Sequence, residues 1–187
     1  MEKKEISVIP TLETERLILR ELKTNDVENI FEYASIPEVA EYVQWYPHKT
    51  KEDSLGFINF ASEQFFTGAS LIWGIVLKSE NKLIGSIDLR DWKSDNKCSD
   101  TGYVISKNYW NKGFVSEALR AVINFAFEEL HLNRIEAHCE EENKGSWHVM
   151  EKCGMKYEGT LREKVFIKGR FRTMKVYSIL QKEWKAK

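Results

Sequence analysis

Residues 101–119 constrain the fold of this chain more than any other stretch. T-G-Y-V-I at 101–105 carries the β-branched and aromatic residues of a strand. A polar turn with a single glycine follows, ending in W-N-K-G. Val115, Ala118, Leu119, Val122, Ala126 and Leu130 then recur at helical spacing, so one face of that helix is buried. A strand that runs through a tight turn into an amphipathic helix implies layers: the strand belongs to a sheet and the helix covers it. The turn also has an electrostatic character. The first N–H groups of a helix lack intrahelical partners and the macrodipole is positive there, so this end suits an anion.

The surrounding sequence supplies more strands and helices in irregular alternation. Residues 12–22 (L-E-T-E-R-L-I-L-R-E-L) hold a strand core at Leu17 to Leu19. Thr24, Asn25 and Asp26 offer an N-cap for a helix through Tyr33 or Ala34. Pro37 and Glu38 start a short helix ending near Tyr42, and Trp45-Tyr46-Pro47-His48 forms an aromatic loop. Thr50 and Asp53 have the spacing of a capping box, opening a helix through Phe65 or Phe66. Strands at 71–77 and 82–90 flank the polar turn 78–81, and a polar loop is expected at 91–99. A strand at 134–139 leads to a helix at 143–152 closed by Gly154. Residues 155–161 and 172–180 read as strands, with 165–167 and a turn at 168–170 between them. The expected class is α/β, a mixed sheet with helices on both faces.

Composition narrows the function classes. At 187 residues, 42% hydrophobic and 30% charged, a single domain spanning 1–187 with a sizeable core is expected. A net charge of −1 argues against a nucleic-acid partner. No run approaches the roughly 18 apolar residues of a membrane span, and M-E-K-K-E-I-S-V-I-P lacks the apolar centre of a signal peptide. Cys98, Cys139 and Cys153 show no C-x-x-C spacing, which suits a reduced, cytoplasmic setting. His48, His131, His138 and His148 do not combine with them at zinc-like spacing, so no metal is expected.

Two nucleotide motifs are excluded in the turn: no hydroxyl follows Lys112-Gly113 as a P-loop requires, and one glycine cannot make G-x-G-x-x-G. A second element stands downstream. Asn143-Lys144-Gly145-Ser146 opens a helix, and E-K-C-G-M-K-Y-E-G occupies 151–159. Together these resemble the GNAT superfamily of acetyl-CoA-dependent N-acetyltransferases. The turn is similar to the family's pyrophosphate loop, Q/R-x-x-G-x-G/A, and the second element to its N-x-x-S…E-K-x-G-F-x-x-E-G motif. The opening T-E-R-L-I-L-R, the phrase Leu83-Ile84-Gly85, and Trp110…Gly113-Phe114-x-x-Glu117-Ala118 resemble the RimJ/RimL branch, which acetylates N-terminal amines of ribosomal proteins and has polyamine and drug acetyltransferases among its relatives. The likeness spans about residues 11–184.

The resemblance implies a mostly antiparallel sheet splayed between its fourth and fifth strands. It implies that Asn111, Lys112, Gly113, Phe114, Val115 and Ser116 hold the pyrophosphate of acetyl-CoA through backbone N–H groups. Tyr103, Val104 and Ile105 would pair with the pantetheine arm, Asn143 would hydrogen-bond it, and Ser146 would sit near the thioester sulfur. The chain departs from the family pattern in four places. Trp110 replaces Gln or Arg, as is usual in this branch, and Val115 replaces a small residue. Met150 stands where many relatives have a tyrosine acid, leaving Ser146 as the acid. Thr173 stands where an acidic residue is usual.

Acyl transfer to an amine needs that amine neutral. An α-amine with a pKa near 7.7–8.0 needs only a modest base, whereas lysine at about 10.4 needs far more. Glu163 is the first candidate base, Asp100 the second. Cys139 could touch the acyl arm. Glu140-Glu141-Glu142 could attract a basic peptide, and Trp45 and Tyr46 could wall the acceptor site. The expected partners are acetyl-CoA and an amine acceptor, a peptide N-terminus or a small amine, and the protein is expected as a monomer or homodimer.

Overall fold

The computed structural model describes residues 6–92 and 95–184. Eight strands form one sheet in the order β1-β2-β3-β4-β5-β6-β8-β7. They are β1 (Leu12–Glu13), β2 (Leu17–Glu21), β3 (Ser70–Leu77), β4 (Lys82–Arg90), β5 (Cys98–Ile105), β6 (Arg134–Glu140), β7 (Lys156–Ile167) and β8 (Arg170–Leu180). Every neighbouring pair is antiparallel except β5 with β6. Helices α1 (Val27–Ala34), α2 (Pro37–Ala40), α3 (Lys51–Thr67), α4 (Phe114–Glu128), α5 (Lys144–Lys152) and α6 (Gln181–Trp184) complete the fold. Among the described residues no helix is long and apolar enough to cross a membrane.

β3 shows how the two layers share the sheet. It is buried at all eight positions. Leu71, Trp73, Ile75 and Leu77 join the core under α4, while Ile72 and Val76 join a second core with Ile30, Tyr33 and Ala34 of α1 and Ile58 and Ala61 of α3. The period-2 alternation of a strand thus feeds two apolar layers, one on each face. On α4, the expected stripe residues Ala118, Leu119, Val122 and Ala126 are fully buried, joined by Ile123 and Phe127, while Leu130 lies past the helix end and is half-buried.

Local signals set the caps. The Asp53 carboxylate accepts from the N–H groups of Lys49 and Thr50 at the start of α3. Asp26 accepts from the Lys23 N–H and from two Arg20 nitrogens, so α1 begins after a 3-10 turn at Thr24–Asp26.

Three differences from the sequence reading have a common physical cause, pairing with distant strands. β5 begins at Cys98, not Thr101, because residues 98–101 pair with β6 and Asp100 and Thr101 also pair with β4. β7 is continuous through an irregularity between Leu161 and Val165, since β8 supplies a partner along most of its length. β1 adds a two-residue strand against β2. The splay expected between the fourth and fifth strands therefore falls between β5 and β6.

Candidate active site

The β5–β6 ladder runs only from Cys98↔Arg134 to Thr101↔Ala137. Beyond that point the two strands part, and residues 102–105 keep β4 on one side only. Two cavities meet in this opening. One, about 910 Å³, lies on the α1 and α3 side and is lined by Tyr33, Trp45, Phe57, Asp88, Arg90 and His138, among others. The other, about 730 Å³, reaches the turn before α4 and is lined by Asn111, Gly113, Phe114, Val115, Ser116 and Lys152, among others. Tyr42, Val43, Tyr103, Val104, Asn143 and Ser146 line both. A group entering from either side would meet the other at these residues.

The turn is shaped for an anion. Asn111 (φ 59°) and Gly113 (φ 80°) both take left-handed backbone, which asparagine tolerates and glycine favours. The first intrahelical bond of α4 runs from the Glu117 N–H to the Gly113 carbonyl at 3.1 Å, and no side chain caps this end. The N–H groups of Phe114, Val115 and Ser116 precede that bond. Their side chains are buried, so what these residues offer the cavity is backbone. A Cβ at Gly113 would lie 3.6 Å from Arg16 Nη2 and 3.9 Å from Lys152 Nζ, so two cations flank the turn. Trp110 donates its indole N–H to the Ile105 carbonyl at 3.0 Å, which ties the turn to β5. Lys112 does not line the cavity. Its carbonyl accepts from Arg16 and its ammonium lies 5.4 Å from the Tyr109 ring centroid.

On α5, Asn143 Oδ1 accepts from the Ser146 N–H at 3.1 Å, leaving its amide NH₂ as a donor at the junction of the cavities. The Tyr103 hydroxyl donates to the Ser146 carbonyl at 2.9 Å and lies 3.1 Å from Ser146 Oγ. Burial holds this phenol above its ordinary pKa, so it is a neutral donor. Met150 is buried and lines the larger cavity without a proton to give.

The acceptor-side carboxylates differ from the sequence reading. Glu163 sits in the β7 irregularity at φ 50° with its N–H on Thr173 Oγ1, and it is exposed. Leu161, Lys164 and Val165 line the larger cavity and Glu163 does not. Here the extra residues of the bulge break the alternation that would have brought it inward. Asp100 has both oxygens engaged, one by Arg90 Nη2 at 2.8 Å and one by His138 Nδ1 at 3.0 Å, and it too is not a lining residue.

Asp88, which sequence reasoning missed, does line the cavity. Its Oδ1 accepts from the Gly102 N–H at 2.9 Å and lies 3.2 Å from Arg90 Nε. Burial pushes this carboxyl up to about 6, against the pull of Arg90 and the Gly102 N–H. The alternation Ser86, Asp88, Arg90 on β4 was the available signal, but it reads equally as a solvated strand face. One group of possible metal ligands occurs among the described residues: Asp100, Glu136 and His138 bring ligand atoms within 4.8 Å of one another. Arg90 pairs with Asp100 and Arg134 with Glu136, so both carboxylates of the group already carry a cation partner.

Comparisons with known proteins identify the family. The family model described as Acetyltransferase (GNAT) domain matches residues 16–156. An acetyltransferase (GNAT family) from Bacillus anthracis superposes with a TM-score of 0.83 at 30% identity, covering 92% of this chain and 99% of that one. Uncharacterized N-acetyltransferase p20 of Bacillus licheniformis is 32% identical over 174 residues, 93% of this chain and 98% of the relative. Spermidine N(1)-acetyltransferase of Vibrio cholerae is 29% identical over 110 residues, 59% of this chain and 64% of that one.

Proposed function

The chain belongs to the GNAT acetyltransferase family and is an N-acetyltransferase, and on that premise we propose that it passes an acetyl group from acetyl-CoA directly to the N-terminal α-amine of a protein such as a ribosomal protein. The observation that carries direct transfer is the meeting of two cavities at the splay, with Tyr103, Val104, Asn143 and Ser146 common to both. Donor and acceptor can then react without a covalent enzyme intermediate, and holding them together supplies much of the rate.

On the donor side, the N–H groups at the start of α4, with Arg16 and Lys152 beside them, take the pyrophosphate. The β6-facing edge of Tyr103, Val104 and Ile105 accepts the pantetheine amides as an added strand would, and the Asn143 amide adds a donor. A backbone N–H on this edge polarises the thioester carbonyl. Ser146, hydrogen-bonded with Tyr103, returns a proton to the leaving sulfur.

The charge balance of the acceptor cavity favours a singly charged amine. Asp53 and Asp88 are offset there by Arg90 and Lys164, and the remainder is largely aromatic and aliphatic. A polyamine carries several charges and calls for a surplus of carboxylates. A second reading, a small amine acceptor, is favoured by the aromatic enclosure of Tyr33, Trp45, Phe57 and Phe60 and by the partial likeness to a spermidine acetyltransferase.

Thiol release from acetyl-CoA, measured against Ala- and Ser-starting peptides, spermidine and an aminoglycoside, separates these. Turnover of a peptide with acetyl on its α-amine by mass spectrometry is expected. Turnover of the small amines alone favours the second reading. No turnover with any amine would leave a CoA-binding module and overturn both.

A further inference from the structure

We infer that His138, oriented by Asp100, is the base that takes the proton from the acceptor amine. This rests on the acetyl-transfer reading above. His138 is the residue on β6 immediately after the last ladder pair, Thr101↔Ala137, and so stands where the strands part. It lines the acceptor-side cavity together with Thr101, Gly102 and Tyr103 from the opposite strand. The parallel register sets Asp100 beside it, with Oδ2 at 3.0 Å from Nδ1. An Nδ1–H donated to that carboxylate leaves the lone pair of the neutral ring on Nε2, in a side chain about one-third open. Asp100 cannot serve as the base, because Arg90 takes its other oxygen.

Asp100 from β5 favours the imidazolium most, and Glu136 on β6 adds to it. Burial and Arg90 from β4 oppose. From β8 the ring's strand position faces Val176, which is uncharged. The balance raises His138 above the ordinary imidazole value.

Nε2 takes one proton from the ammonium, freeing the nitrogen lone pair. That lone pair forms the C–N bond to the thioester carbonyl carbon, and the C–S bond breaks. The second proton lost by the nitrogen is passed through the Ser146 hydroxyl, held beside the Tyr103 hydroxyl, to the CoA sulfur. The imidazolium then releases the first proton to solvent through the cavity mouth. Asp100 acts through His138 and is a positioning residue.

The test uses the full chain, acetyl-CoA and whichever amine of the panel turns over best. His138→Gln is expected to lower kcat/KM about 100-fold at pH 7, with unchanged affinity for CoA. The deficit should shrink at least about tenfold near pH 9.5, where an α-amine is already neutral. Asp100→Asn should move the acidic limb of the pH profile to lower pH, because the neighbour that raises His138 has gone. His138→Ala should regain activity with added imidazole. A His138→Gln enzyme within about threefold of the parent at pH 7, or a deficit equal at all pH values, overturns the inference. So does activity abolished by a chelator and restored by a divalent cation, which would make the cluster a metal site. If the parent protein acetylates no amine, the reading of the previous subsection fails and takes this one with it. An active parent with an unimpaired His138→Gln variant removes this inference alone.

Discussion

Arg16 and Glu117 stand 101 residues apart in sequence and 2.6 Å apart in space. Glu117 also accepts from the Arg16 N–H at 2.9 Å and the Thr14 hydroxyl at 2.6 Å. Burial opposes its ionisation, but these three donors outweigh it and hold the carboxyl below its ordinary range. Arg16 continues to the Lys112 carbonyl and stacks over Phe114 at 4.4 Å. The opening T-E-R and the later F-x-x-E are therefore two halves of one clamp on the turn before α4.

Breaking that clamp should act on the donor. Arg16→Ala is expected to raise KM for acetyl-CoA about tenfold while kcat stays nearly constant, since only binding contacts are lost. Steady-state kinetics together with calorimetric titration of CoA checks this. A fall in kcat at constant KM would show that the clamp serves another purpose.

The Tyr103–Ser146 contact makes a different prediction. Ser146→Ala should lower kcat about tenfold and leave CoA affinity nearly intact, and Tyr103→Phe should do the same. Because the two hydroxyls are 3.1 Å apart and act together, the double variant should be little worse than the weaker single one. Multiplicative losses in that cycle would mean that they act separately.

Gly85 on β4 lies opposite Ile105 of the splayed strand, with no room for a side chain. A Cβ there would lie 2.3 Å from the Val104 carbonyl oxygen and 2.9 Å from Ile105 Cα, both backbone atoms that cannot rotate away. Gly85→Ala should cost about 2 kcal/mol, roughly 4–8 °C in Tm. It should also weaken CoA binding by displacing the strand edge. Differential scanning fluorimetry and CoA titration read both effects, and an unchanged Tm would contradict the contact.

Asp88 should leave a pH signature in stability. Its folded pKa is about 6 against 3.8 for the free side chain, so the unfolded chain releases this proton first. Native stability therefore falls between about pH 4 and pH 6 and levels off above, by on the order of 2 kcal/mol. Asp88→Asn removes that loss and can keep the Gly102 N–H bond. The Tm gap between variant and parent should be near zero at pH 4 and reach its maximum above pH 6. A gap independent of pH would show that burial does not govern this carboxyl.

Much of the fold was legible because its signals are local. The helical stripe of α4, the Asp53 cap, the hairpin of β3 and β4, and the Asn143 cap each depend on residues a few positions apart. The N-terminal end of β5 was not legible, since S-D looks like loop until β4 and β6 pair with it. Glu163 lay between the strands read at 155–161 and 165–167, and its place in the β7 bulge follows only from pairing with β8.

The chain alone determined a layered α/β domain and a glycine turn leading into α4, because periodicity, caps and unpaired first-turn N–H groups follow from neighbours in sequence. Only the tertiary structure decided what meets at the splay between β5 and β6. One parallel ladder of four residue pairs places Asp100 against His138 and then ends, and the gap it leaves brings Tyr103 to Ser146. Those partners lie 38 and 43 positions apart, and their meeting depends on strand register, which no local pattern of residues encodes.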